Sequence, residues 1–135
     1  MIRTLVLAAA LAVATLATAQ DSRGGDIEAV ISGQMEAFRN DDVATAFGFA
    51  APMIQNMFRT PENFGLMVER GYPMVWRPAE VTFGDLFEEG GILWQRVIVR
   101  DAAGAVHVLD YDMRDMGGAW RIGGVRVVAQ PDLSA

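Results

Sequence analysis

The apolar positions of this chain change period once, dividing it into a helical half and a stranded half. Ile27, Val30, Ile31, Met35 and Phe38 recur at three- and four-residue spacing and form one stripe, with Glu28, Ser32, Gln34, Glu36 and Arg39 mostly off it. Asp26 is placed to cap the first turn, so the spacing predicts a helix over 27–40. Asp41 or Asp42 caps a short second helix with Val43, Ala46, Phe47 and Ala50 inward. Pro52 ends it and opens a further turn with Ile54, Met57 and Phe58 on its apolar side. Thr60-Pro61-Glu62 is a strong helix start: a hydroxyl cap, a proline in the first turn and an acid at the positive end of the dipole. Phe64, Met67 and Val68 face inward, Gly71 ends that helix, and 72–75 is expected to cross in extended form. Pro78 cannot donate a ladder hydrogen bond, so the first strand should begin after it.

From there the period is two. The first strand, 79–87, puts Val81, Phe83 and Phe87 on one face, interrupted by Asp85, and Glu80, Thr82 and Glu88 on the other. A Gly90-Gly91 turn leads to a second strand, 92–100, apolar on both faces: Leu93, Val97 and Val99 on one, Ile92, Trp94 and Ile98 on the other. Two-sided apolarity marks a central strand covered on both sides. The third strand, 105–113, groups His107, Leu109, Tyr111 and Met113 on one face and Val106, Val108, Asp110 and Asp112 on the other. The fourth, 119–128, has Trp120 and Ile122 on one face and Gly123-Gly124 inside it, the mark of a bulge or bend. Helices followed by strands read as an α+β fold: N-terminal helices packed on a curved antiparallel β-sheet of about four strands.

The first residues belong to neither half. Arg3, an apolar run from Leu5 to about Leu16, and Ala17-Thr18-Ala19 are the three parts of a secretory signal peptide over 1–19. The run is short for a membrane span. The mature chain then starts at Gln20 as a single domain over 20–135, with an ordered core about 26–128. The signal and the absence of cysteine point to the periplasm or the medium of a Gram-negative bacterium, with no membrane association after cleavage. The 135 residues carry a formal net charge of −6, and all 11 basic residues are arginine. An acidic chain without a basic run does not suit nucleic acid. No cysteine or multi-histidine cluster is present to hold zinc, and no phosphate loop or nucleophile elbow, so neither cofactor nor metal is expected.

The later strands end in Gly118-Ala119-Trp120-Arg121-Ile122, and with a long first helix and shorter ones after it the chain resembles the nuclear-transport-factor-2-like (cystatin-like cone) superfamily. More closely, it is similar to a bacterial family known as domain of unknown function 4864. The matching pieces are Gln34-Met35-Glu36-Ala37-Phe38 with Asp41-Asp42, Ala46-Phe47 with Phe49-Ala50, and Thr60-Pro61-Glu62. They continue with Gly71-Tyr72-Pro73-Met74-Val75-Trp76-Arg77-Pro78, Val81-Thr82-Phe83-Gly84, Gln95-Arg96-Val97, and Tyr111 with Met113. The resemblance covers nearly all of 26–128. It implies a cone-like sheet able to enclose a pocket and carries no known chemistry, since the superfamily includes enzymes, ligand binders and structural partners.

Three sets of residues could carry chemistry. His107, the only histidine, could act as a general base with Tyr111 on the same face; enzymes of the superfamily often use an aspartate or histidine base beside an aromatic. Asp110 and Asp112 point to one side of their strand and could share a proton or bind a hard cation. The plain alternative pairs them with Arg96, Arg100 or Arg121 on neighbouring strands. Tyr72, Trp76, Trp94 and Trp120 belong to an aromatic set that fits either a core or an apolar pocket, with Arg77 and Arg96 able to hold a carboxylate at its mouth. The leading expectation is a non-catalytic module holding a small apolar or amphipathic ligand, or dimerising through the outer sheet face. The alternative is an acid–base enzyme, of isomerase or dehydratase type, with His107 or Asp110 as base and Tyr111 or Tyr72 orienting substrate. The two separate on whether His107 or Asp110 points into the pocket.

Overall fold

The computed structural model describes residues 11–129, with side chains from residue 22 onward. Five helices, α1 (Leu11–Arg39), α2 (Val43–Gly48), α3 (Pro52–Phe58), α4 (Pro61–Gly71) and α5 (Pro73–Trp76), precede four strands, β1 (Pro78–Glu89), β2 (Ile92–Asp101), β3 (Val106–Asp115) and β4 (Trp120–Val127). The strands form one antiparallel sheet in chain order, and the helices pack against one side of it, giving the α+β class that the pattern predicts.

The apolar stripe of α1 behaves as its spacing requires: Ile27, Ile31, Met35 and Phe38 are buried against Val97, Val99, Leu109 and Ile122 of the sheet. Its start does not. Asp26 is not a cap but lies within the helix, which already runs through 21–25, ahead of the expected helix start. Glycine costs about 1 kcal/mol in a helix interior, yet Gly24 and Gly25 do not interrupt it. Residues 1–10 of the expected signal segment lie outside the described residues. No described helix is long and apolar enough to cross a membrane.

The end of α1 divides the work between the two aspartates. Asp41 takes a left-handed conformation, φ 56°, while its N–H bonds the Phe38 carbonyl and the Asp42 N–H bonds the Ala37 carbonyl. That is a Schellman closure with aspartate in the place glycine usually holds. Asp42 then caps α2 by accepting from the Thr45 amide at 3.1 Å. Thr60 caps α4 in the same way, from the Asn63 amide at 3.1 Å. α4 ends at Gly71 as expected, although Gly71 is its last helical residue and not a left-handed cap, and Tyr72 takes the C-cap position. Tyr72 precedes a proline, a position where helical geometry is disfavoured, and Pro73 then opens a helical turn where an extended segment was expected.

In the sheet, Gly90 and Gly91 both have positive φ and join Glu89 to its partner Ile92, a two-residue hairpin turn whose geometry suits glycine. Two bulges decide which residues face the helices. In β1, Phe83 pairs with Val97 but Leu86 pairs with Gln95, so Gly84 and Asp85 share the space opposite Arg96. Beyond that bulge Leu86 faces inward. Phe87, expected beside Val81 and Phe83, turns to the outer face next to Trp94, because one extra residue exchanges every later side chain between faces. The Gln95 side chain, buried on the inner face, donates to the Gly84 carbonyl at 3.0 Å and to the Arg96 carbonyl at 2.9 Å, bonding a carbonyl of the bulged stretch. In β4, Asp112 sits opposite Gly124 and Met113 opposite Ile122, leaving Gly123 as the extra residue where the glycine pair predicts a bulge. Ile122 and Val125 therefore both reach the core. The edge of β4 is covered at Ile122, which exchanges backbone bonds of 2.9 and 2.8 Å with Phe49 and Ala51.

Candidate functional site

Between the helices and β4 lies a cavity of about 240 Å³. Phe38 of α1, Ile54 and Phe58 of α3, Phe64, Met67 and Val68 of α4, Val75 of α5, and Ile122 and Val125 of β4 supply apolar walls. Phe64 is the hub of the aromatic side, with ring centroids 5.5 Å from Phe47, 5.8 Å from Phe58 and 6.0 Å from Phe38. Met57 lines the cavity while 64% exposed, which places it at the mouth. Among the described residues, two polar side chains join the lining, Gln34 and Tyr72, and no charged group or histidine does. Gln34 was not among the expected site residues. It was expected mostly off the apolar stripe of α1, yet at 3% exposed it lies on it, as its spacing three residues after Ile31 and four before Phe38 allows.

Of the residues expected to bind ligand, Tyr72 alone lines this cavity. Trp76 packs its ring 5.3 Å from Phe38, with the Arg77 guanidinium 4.8 Å above it. Arg77 is committed to the end of α1, donating to the Phe38 carbonyl and pairing with Asp41. Trp120 borders a second cleft of about 290 Å³, where Arg23 of α1 meets the β1–β2 and β3–β4 turns. Trp94 and Arg96 are on the outer face.

The three candidates for catalysis are not brought together. His107 bonds Asp101 at 2.8 Å by the β2–β3 turn. That bond, then the Ala105 amide, holds the Asp101 carboxyl below the usual carboxylate range. Asp110 points away from the cavity. Tyr111 points to the helices and is wholly buried. Its hydroxyl has no hydrogen-bond partner among the described residues, and burial, with Tyr72 as a lesser cause, pushes the phenol well above its ordinary pKa.

Asp110 is instead the centre of an ion cluster. Its side chain is 0% exposed, held by Arg96 from β2 through bonds of 3.0 and 3.1 Å and by Arg126 from β4 at 3.2 Å. Arg126 lies 3.9 Å over the Trp94 ring, and Arg96 lies 5.3 Å over Phe87. The cover expected over the outer face of β2 thus comes, for Trp94, from within the chain. Of the partners expected for the aspartates, Arg96 takes Asp110, whereas Arg100 pairs with Glu80 and Arg121 bonds the Trp120 carbonyl. Asp112 goes to Arg114 of its own strand, at 2.7 and 2.8 Å. A side chain at Gly123 would meet Arg114 at 3.0 Å, so glycine leaves room for that fork. Both carboxylates have the positive partners that a shared proton or a cation would have to displace. Among the described residues no group of three or more acidic or histidine side chains could hold a metal.

Fold and cavity together define a small α+β protein with one meander sheet and an apolar pocket between that sheet and its helices. The chain belongs to the family described as domain of unknown function (DUF4864), whose model matches residues 20–135. No curated protein and no solved structure matches it significantly.

Proposed function

We propose that this protein is an exported, non-catalytic binding module of the nuclear-transport-factor-2-like type, which holds a small apolar or amphipathic ligand between sheet and helices. The observation that carries the reading is the cavity of about 240 Å³, walled by aliphatic, thioether and aromatic side chains with two polar groups among them. That is the composition of small-molecule sites, at a volume somewhat below their usual range of about 300–1,000 Å³. The acid–base alternative finds no support in this lining. A general base must reach its substrate within hydrogen-bond distance, and neither His107 nor Asp110 borders the cavity. Export is supported by the charge, apolar run and small-residue site of 1–19, and the periplasm or medium is the corresponding location.

The test is native mass spectrometry of protein purified gently from the periplasmic fraction, with N-terminal sequencing of the same sample. The expected result is a chain beginning at Gln20 with a retained small molecule released on collisional activation. A chain that stays in the cytoplasm with Met1 intact would overturn the export part. An empty mass, together with no thermal shift from a panel of small apolar compounds, would overturn the binding part.

A further inference from the structure

We infer that the ligand of this pocket carries a hydrogen-bond donor on an otherwise apolar, uncharged body, and that Gln34 Oε1 receives it. The inference rests on the binding reading above and adds the chemistry of the ligand's head. Gln34 occupies α1 between Ile31 and Phe38, both wholly buried, and is itself only 3% exposed. An amide in such a position is costly unless its polar ends are bonded. One end is: Nε2 donates to the Ala46 carbonyl at 3.1 Å. A carbonyl only accepts, so this bond fixes which end of the amide is nitrogen and which is oxygen. Oε1 has no donor among the described residues, and the side chain that carries it borders the cavity.

An acceptor fixed in an apolar wall selects its occupant. A purely apolar molecule would strip water from Oε1 and return no bond, whereas a hydroxyl would restore one. Tyr72, the other polar residue of the lining, carries a hydroxyl able to accept from the same kind of head or donate to it. A charged ligand would enter a site with no counter-charge among the described residues of its lining and lose its hydration uncompensated. Size narrows the class further. A dry cavity of about 150 Å³ holds benzene, so about 240 Å³ suits one ring or a short branched chain with a few further carbons. The ligand class is a small neutral alcohol or phenol.

The test uses the full chain and three probes of one shape: para-tert-butylphenol, para-tert-butylanisole and tert-butylbenzene, titrated by NMR into isotope-labelled protein. The phenol is expected to bind about tenfold tighter than either other probe, with the Gln34 side-chain amide resonances shifting for the phenol alone. Equal affinity for phenol and anisole overturns the inference and leaves the binding reading standing; no binding of any probe overturns both. Gln34→Met keeps the length of the side chain and removes the acceptor, and is expected to bring phenol and anisole within about twofold of each other. A phenol preference that survives it overturns the inference. If that variant does not fold, for want of a donor to the Ala46 carbonyl, the wild-type Gln34 amide decides, and no shift at saturating phenol overturns the inference.

Discussion

Tyr111 and Asp110 adjoin in sequence, point to opposite faces of β3 and are both wholly buried, yet only Asp110 is satisfied. The Tyr111 hydroxyl gives up water and gains no bond, so removing it should help. Tyr111→Phe is expected to raise stability by about 1 kcal/mol in urea unfolding; a loss of similar size would mean that a buried water or ligand bonds the hydroxyl. Asp110 is the reverse case, because it neutralises two arginines at once. Deleting one partner of a wholly buried pair costs about 3–5 kcal/mol, but Arg96 and Arg126 are 37% and 41% exposed and water screens what is left. Asp110→Ala is therefore expected to cost about 2 kcal/mol. An unchanged urea midpoint would show that the cluster contributes nothing to stability. The sequence places these aspartates on one side of a strand and offers Arg96 as a partner. It does not show Arg126, because the pairing of Asp110 with Arg126 depends on the β3–β4 register.

Among the elements, the α2–α4 contact turns on Gly65. A side chain there would place its Cβ 2.5 Å from Val43 Cγ1, and valine has little rotamer freedom to yield. Alanine gains about 1 kcal/mol of helix propensity over glycine, while overpacking costs about 1–3 kcal/mol. Gly65→Ala should therefore lower the urea midpoint, by about 1 kcal/mol net; an increase would show that α2 shifts freely. The β2–β3 turn carries the pH dependence. The Asp101 carboxylate accepts from the Ala103 and Ala105 amides, and with His107 beside it the charged form is favoured in the folded chain. A carboxyl lowered by folding adds stability above its ordinary pKa of about 3.9 and loses it as pH falls through the lowered value. Amide exchange at Ala103 and Ala105 is expected to accelerate as pH falls below about 4, relative to core amides. The same relative rate in an Asp101→Asn chain would remove the carboxylate from that account. The starts of α2 and α4 were legible because their caps are local: Asp42 and Thr60-Pro61-Glu62 act on amides within three residues. The end of α1 was less so, since Asp41 takes a glycine's place and pairs with Arg77 from 36 residues away.

For the whole molecule, the pocket draws on four helices, Tyr72 between α4 and α5, and one strand, and no single stretch announces it. Of the four aromatics expected to line it, one does. Tyr72 is there, but Trp94 is on the other side of the sheet, covered by Arg126. Apolar residues on both faces of β2 give no means of telling which face meets the helices. The bulges in β1 and β4 then reassign Phe87, Leu86 and Val125. The probe series with para-tert-butylphenol is the measurement at this scale, because it asks what the assembled cavity accepts.

By itself the sequence determined the class of fold, the order of the elements and most of their boundaries. These follow from the period of apolar residues and from caps and turns that act within a few positions. It also determined the family. The tertiary structure alone decided which faces meet, since two inserted residues each exchange a strand's faces beyond them. It decided that Asp110 is buried as an ion cluster on the outer face, and that His107 is tied to Asp101 and does not line the cavity. It also brought Gln34 and Tyr72 into one cavity from 38 positions apart. Periodicity reports where a side chain sits relative to its own element, while a site depends on distances between elements, which only packing sets.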